Sequence, residues 1–372
     1  MDTYINEGSR KKVRIKAFDI LKLYAIFFVL WGHSIQYFLS SNYYDEPVYR
    51  IIYSFHMPLF MMISGYFSLS SMPLSPFVFL KKKFVQLLLP VLSWCVVLGV
   101  ITFSYNILYY HTIPSIAGSI IGIISSFYGP YPFWFLKTCF FCFFLAYCGT
   151  LFRINGFVWM LVSIIISQIV PFFVSNFVSV DVMYPCFVVG LVLKDNQKFY
   201  SLICRYYWVL FGLFIFLLCF WDQFFWGFDG ILKKLIITDL QINSSIFLML
   251  FSKVYRLTIG IVGSLSFIGL ICSLFPQEKT NKFISLCCNW GQYTLGIYIL
   301  QGIILETYMA QYILLDELNW YLFNFVVAPI ISLLVLFLCV YIIKIMSKSR
   351  RLAFLFFGNY KTSNLKEKGK EK

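Results

Sequence analysis

Charge is what this chain has least of. Asp, Glu, Lys and Arg make up 12% of its 372 residues, about half the usual share of a soluble domain. That is too little polar surface to cover a soluble enzyme. Low hydrophobicity, the mark of disorder, is missing as well: 60% of residues are apolar, 21% are aromatic and the mean hydropathy is +0.80. Histidine is scarce, with three in the whole chain, so each one is conspicuous. Acidic residues are outnumbered by basic ones, 16 against 30, which leaves a net charge of +14. In a soluble protein that excess would suggest nucleic acid. In so apolar a chain it is read as cytoplasmic loops facing anionic head groups, with no nucleic-acid partner. The segment MDTYINEGSRKKVRIK is polar for too long to be a cleavable signal peptide, so the first apolar run is expected to be a retained span. No internal repeat is visible.

Cysteine is not scarce, but it lacks company. Cys139 and Cys142 form a CxxC and Cys287 and Cys288 are adjacent; no histidine lies near either pair, so no metal site is expected. Inside apolar runs they read as small packing residues.

A spanning helix needs about 20 mostly apolar residues. Ten segments qualify, near 18–39, 51–70, 84–109, 132–152, 156–176, 178–194, 206–226, 254–275, 290–313 and 321–346. The expected fold is therefore all-α and polytopic, with about ten transmembrane helices. The run 110–131, broken by Pro114, Gly118, Gly122, Gly129 and Pro130, reads as re-entrant or interfacial, and 227–253 as an interfacial loop. Placing the N-terminus in the cytoplasm puts Arg10, Lys11, Lys12, Arg14, Lys16, Lys81, Lys82, Lys83, Arg153, Lys194, Lys198, Arg205, Lys279, Lys282 and the C-terminal basic cluster inside. Arg50, Lys233, Lys234, Lys253 and Arg256 fall outside. That asymmetry favours both termini in the cytoplasm. Three parts follow: a basic cytoplasmic N-terminus (1–17), a membrane domain (18–346) and a basic cytoplasmic tail (347–372).

Ionisable groups inside spans are costly and so are functional candidates. Lys22 and His33 lie on the first helix. Eleven steps of about 100° make three turns plus about 20°, so the two share a face, roughly 16 Å apart along the axis. Lys22 then lies near the cytoplasmic mouth and His33 in the outer half. His56, on the returning second helix, comes to about the same depth as His33; its other reading is a partner for backbone freed by Pro58. Histidine exchanges a proton near neutral pH. Lys22 with Lys81, Lys82 and Lys83 offers point charges for phosphates. A long donor, phosphorylated at one end and reactive at the other, fits between them, and acyl-CoA has that shape. Lys137 is read as reaching for water. Asp181, Asp222 and Glu306, in the outer thirds of their helices, read either as glycan ligands or as interface anchors.

The sequence resembles the membrane acyltransferase 3 family in FDILKLYAIFFVLWGH, FHMPLFMMISGYF, KKKFVQLLLP, FWFL at 133–136 and GQYTLGIYILQ at 291–301, in that order over roughly 14–350. The resemblance implies about ten spans and a basic residue and a histidine separated by ten residues, here Lys22 and His33. It implies that His33 is essential and that acyl-CoA binds from the cytoplasmic side. Lys22 replaces the arginine of many members, Gln86 stands where another arginine often precedes LLLP, and Gln301 stands where many have histidine. Gln301 keeps the ability to orient a group by hydrogen bonds but is no base at neutral pH. No serine-hydrolase-like domain accompanies the spans, so transfer is expected to finish in the membrane unit or on a partner.

The expected function is thus an integral O-acyltransferase of the bacterial cytoplasmic (inner) membrane. It would carry acetyl from cytoplasmic acetyl-CoA, a substrate and not a resident cofactor, to a sugar hydroxyl of a surface polysaccharide or lipid-linked glycan. His33 with Lys22 forms the catalytic pair, Lys22 and Lys81 to Lys83 hold the donor, and His56, Trp134, Tyr298 and Gln301 line the acceptor pocket. A transporter or flippase for a lipid-linked saccharide is the rival reading. Oligomeric state and acyl length are left open.

Overall fold

The computed structural model describes residues 15–39, 43–129, 132–173, 178–222, 227–228, 245–276, 281–312, 315–316 and 318–358. Apart from one short antiparallel pairing, Trp221 with Phe228 and Asp222 with Gly227, the regular structure in them is helical. α1 is Lys16–Phe38 and α2 is Pro47–Tyr66. α3 (Pro76–Lys83) and α4 (Leu89–Tyr110) are joined through a π-helical turn at Phe84–Leu88. Then come α5 (Ile116–Tyr128), α6 (Trp134–Leu151), α7 (Gly156–Phe173), α8 (Val180–Asp195), α9 (Gln197–Arg205) and α10 (Tyr207–Leu218). α11 is Ser245–Leu274, α12 Lys282–Trp290 and α13 Thr294–Gln301, the last continuing as a π turn over Gly302–Tyr308. α14 (Trp320–Leu322) runs through a π turn at Phe323–Val327 into α15 (Ala328–Met346), and α16 is Arg350–Phe357.

Each of the ten apolar segments falls at least in part on helix. Among the described residues five helices are long and apolar enough to cross a bilayer: Lys16–Phe38, Pro76–Tyr110, Trp134–Leu151, Leu250–Leu274 and Trp320–Met346. α9 and α10, bent by 71°, form a sixth if taken as one span. The molecule is a multi-pass membrane protein. α8 is shorter than a full span, at 16 residues. The interval 110–131, read as re-entrant or interfacial, holds the 13-residue helix α5. Two boundaries differ from the sequence reading. The last residues of the supposed interfacial loop belong to α11, which begins at Ser245 because an apolar run leads straight into the span. The ninth segment is broken at Gly291, between α12 and α13. Lys233, Lys234, Lys279, the side chain of Asp222, residues 1–14 and the tail beyond Gly358 lie outside the described residues.

α1 is the axis of the bundle. It packs against α2, α11, α12, α13 and α15, and Leu21, Ala25, Ile26 and Leu30 are fully buried. Neighbours on several sides bury the apolar residues that make up most of this helix. α2 and α8 approach at backbone distance. A Cβ on Gly65 would lie 1.9 Å from the Phe187 carbonyl oxygen, and one on Gly190 would lie 1.9 Å from that of Met62. Small residues are what let membrane helices meet so closely. A Cβ on Gly291 would meet the Asp19 carbonyl oxygen at 1.9 Å, so the α12–α13 break is pressed against the start of α1.

Two of the π turns have a local cause. Phe84–Leu88 precedes Pro90 and Phe323–Val327 precedes Pro329; a proline cannot donate to the carbonyl four residues back, and its ring crowds it. The third, Gly302–Tyr308, contains no proline, and it borders the cavity described next.

Candidate functional site

A cavity of about 480 Å³ opens among α1, α2, α4, α5, α6, α8, α11 and α13. His33, His56, Trp134, Tyr298 and Gln301 all line it. The arrangement is built by helical spacing. On α1, His33 is joined by Val29, Gln36 and Tyr37, and on α2, His56 by Tyr49 and Tyr53, each three to eight residues apart and on a common face. The depth estimate from sequence is refined: His33 lies about 8 Å from the end of α1 and His56 about 14 Å from the start of α2, because α2 begins a turn earlier, at Pro47. Tyr53 fills the difference. Its ring centroid is 6.4 Å from that of His33 and 4.7 Å from that of His56.

The histidines differ in what they can do. His33 Nδ1 is 2.8 Å from Gln301 Oε1, and the Gln301 amide nitrogen donates to the Tyr298 carbonyl at 3.2 Å. That second bond orients the amide, so Oε1 accepts and His33 Nδ1 carries the proton. The lone pair of the neutral ring is then on Nε2. Gln301 is 2% exposed, which keeps this pairing out of competition with water. His33 itself is half-buried. His56 is 2% exposed and its Nδ1 donates to the Ile52 carbonyl at 2.7 Å, on its own helix; the carbonyl freed by Pro58 is that of Ser54.

Tyrosines dominate the remaining wall. Tyr49 and Tyr53 stack with centroids 3.9 Å apart, and the Tyr53 hydroxyl donates to Gln36 Oε1 at 2.6 Å. Tyr37 and the Glu306 carboxylate both line the cavity and lie close enough to interact. Arg256 contributes the guanidinium, with Nη2 donating to Ser179 Oγ at 3.1 Å. Two lining residues hold left-handed backbone, Phe133 (φ 61°) and Ser179 (φ 55°). They are the N-caps of α6 and α8, and that conformation costs a non-glycine residue roughly 1–2 kcal/mol. Strain of this kind collects at functional sites.

The lysines stand elsewhere. Lys22 pairs with Asp19 at 3.5 Å and lies over the Phe67 ring, 4.7 Å from its centroid. It is off the cavity lining, whose lowest α1 residue is Val29. Lys81, Lys82 and Lys83 are off the lining too. Lys81 is exposed, whereas Lys83 is 6% exposed and holds its ammonium 3.4 Å from the Phe143 ring centroid. Lys137 does not reach for water. It is buried and donates to the Phe127 carbonyl at 3.5 Å and to that of Gly129, closing the C-terminus of α5, where a cation is favoured. Of the acidic residues, Asp181 pairs with Lys253 at 3.4 Å while Glu306 lines the cavity. Among the described residues no cluster of three or more His, Cys, Asp or Glu can hold a metal ion.

Sequence reasoning missed Tyr37, Tyr49, Tyr53 and Arg256 as lining residues. Tyr37 and Tyr53 carried a signal, four residues from His33 and three from His56. Arg256 was masked by its value as a topological charge.

A family model described as an acyltransferase domain matches residues 15–344. The nodulation protein NolL of Mesorhizobium japonicum is 26% identical over 297 residues, 77% of this chain and 75% of its own. That of Sinorhizobium fredii is 25% identical over 295 residues, 77% and 76% of the two chains. No solved structure matches.

Proposed function

The chain belongs to the membrane acyltransferase 3 family, and from that premise we propose that it is an O-acetyltransferase. The donor is cytoplasmic acetyl-CoA. The acceptor is a sugar hydroxyl on a surface polysaccharide or a lipid-linked glycan, and the setting is the bacterial cytoplasmic membrane. The observation that carries the reading is the His33–Gln301–Tyr298 chain of hydrogen bonds at the wall of an aromatic-lined cavity. It leaves an imidazole whose proton-accepting nitrogen is defined.

His33 Nε2 takes the proton of the acceptor hydroxyl as the oxygen attacks the thioester carbonyl carbon. The C–S bond breaks, the departing thiolate takes the proton from the imidazolium, and the products are an O-acetyl ester and CoA. The base is regenerated. An acyl-His33 intermediate is the other route; a burst of CoA release without acceptor would mark it. Gln301 stabilises the imidazolium through Nδ1–H without itself titrating. Lys22, eleven residues before the base on the same face of α1, and the row Lys81 to Lys83 serve the CoA phosphates as point charges. Within that row the role falls to Lys81 and Lys82, since Lys83 is turned onto Phe143. Trp134 and Tyr298 offer faces for a sugar ring, and His56, tied to Ile52, steadies the wall behind Tyr53.

Removing a positioned base costs typically 10²–10⁴-fold in rate. Purified His33→Ala, inserted and folded, should therefore transfer less than about 1% of the wild-type label from acetyl-CoA to glycan. Full transfer by that variant would overturn the assignment. Acceptor movement without CoA consumption by the wild type would instead favour transport.

A further inference from the structure

We propose that Glu306, beside Tyr37 on the cavity wall, is the subsite that orients the acceptor, and that its ligand is a pyranose presenting a second free hydroxyl beside the one that reacts. This deepens the acetyltransferase reading and rests on it for the identity of the reacting hydroxyl.

Two pairs face each other between α1 and α13 with its π extension. The first is His33 with Gln301, hydrogen-bonded at 2.8 Å. The second is Tyr37 with Glu306, both on the cavity lining. On α1 the two residues are four apart, about 400° of rotation, and so share a face. On the other strut they are five apart. In a regular α-helix five residues turn about 500°, which would leave Glu306 about 140° away from Gln301. The π register over Gly302–Tyr308 closes on the fifth residue and puts both on one line. The departure from α geometry therefore has a consequence: it brings a carboxylate onto the wall of the base, one turn away. The His33 and Tyr37 rings are in edge contact, with centroids 5.5 Å apart, which sets the scale between the pairs.

The carboxylate is accessible. Glu306 is exposed along the lining, and a Cβ on Gly302 would have only Glu306 Oε2 near it, at 3.9 Å. Space beside the carboxylate is thus open. A carboxylate has about four acceptor positions, enough for the neighbouring Tyr37 hydroxyl and a ligand together. A hydroxyl delivered to His33 Nε2 has a neighbour on the same sugar ring within reach of Glu306, while a lone alcohol does not. The stacked Tyr49 and Tyr53 rings close the same side with an apolar face suited to a pyranose.

The test uses the full-length protein in nanodiscs. The probes are radiolabelled methyl glycosides of D-glucose, D-galactose, L-fucose and L-rhamnose, with the fully O-methylated forms as controls. Binding is read by equilibrium dialysis and transfer by label from acetyl-CoA. Hydrogen bonds to a charged group are worth enough that Glu306→Gln should weaken binding of the preferred glycoside by about 10–100-fold. Tyr37→Phe should weaken it less, and acetyl-CoA binding should stay within two-fold. In turnover the loss should appear in KM for the glycoside, with kcat little changed. Glu306→Gln is isosteric, and unchanged gel-filtration behaviour confirms its fold. Wild-type protein that binds none of the glycosides, or a Glu306→Gln variant that binds them unchanged or loses kcat alone, overturns the inference. Glycoside binding that depends on Glu306 without acetyl transfer would leave the subsite standing and sink the acetyltransferase reading.

Discussion

At the scale of the residue, the site turns on one amide. Gln301 is held by the Tyr298 carbonyl, so its oxygen has no choice but to face His33. If that orientation matters, Gln301→Leu should lower kcat by about 10²-fold or more while acetyl-CoA affinity holds, because the ring is then free to take the wrong tautomer. Gln301→Glu should restore much of the rate. It should also move the acid limb of the pH–rate profile to higher pH, since a carboxylate stabilises the imidazolium and more base is lost to protonation at a given pH. A pH series on the two variants checks this; an unmoved limb in Gln301→Glu would mean that His33 is not the base whose protonation limits the rate. His33 was legible from sequence because a histidine inside an apolar span is rare and costly. Gln301 was legible as a lining residue but not as the partner of His33. The two are 268 positions apart in the chain, and no periodicity spans that interval. Arg256 was legible only as a charge near a helix end. Its place in the cavity follows from how α11 leans on α2, where a Cβ on Gly260 would lie 2.9 Å from Pro58 Cγ.

At the scale of the element, packing and kinks do the positioning. The α2–α8 contact admits no side chain at Gly65 or Gly190, and α2 carries Tyr49, Tyr53 and His56 to the cavity. Gly190→Leu should force the helices apart, at a cost of about 3 kcal/mol. That corresponds to a drop in melting temperature of roughly 4 °C for a chain of this length, read by tryptophan fluorescence in detergent. Gly122 is the matched control. A Cβ there meets nothing within 4 Å, so Gly122→Ala should leave the melting temperature unchanged or raise it, as alanine is the better helix former by about 0.5–1 kcal/mol. The π turns before Pro90 and Pro329 were open to prediction, since proline announces the lost hydrogen bond. The turn at Gly302–Tyr308 was not, because nothing in GIILETY marks it; it arises where the chain meets α1 and the cavity.

At the scale of the whole molecule, the charge asymmetry makes a claim about sidedness. Reading the chain as ten spans with both ends in the cytoplasm, a fluorescent-protein fusion after Lys372 should glow, and an alkaline phosphatase fusion there should be inactive. The reverse at an insertion in the 110–115 connection would complete the picture. An active phosphatase at the C-terminus would require an odd number of spans and would place the Lys22 end and the tail on opposite sides. The cavity is consistent with a two-ended reaction. It lies toward the C-terminal end of α1, while Lys22, Lys81 and Lys82 stay away from its lining, so donor phosphates and acceptor sugar would be gripped at different levels of one bundle.

The sequence by itself determined that this is a helical membrane protein, that His33 and His56 sit on apolar helices, and the family motifs around Lys22, His33 and Gln301. It could do so because burying a charge or an imidazole in lipid is expensive at any position, and hydropathy and helical period record that cost locally. Only the tertiary structure decided that Gln301 faces His33, that Glu306 and Arg256 join the cavity while Asp181 pairs with Lys253, and that Lys83 and Lys137 turn inward. Those outcomes depend on which helices meet, at what crossing and over which glycine, and contacts between segments hundreds of residues apart leave no periodic trace in the chain.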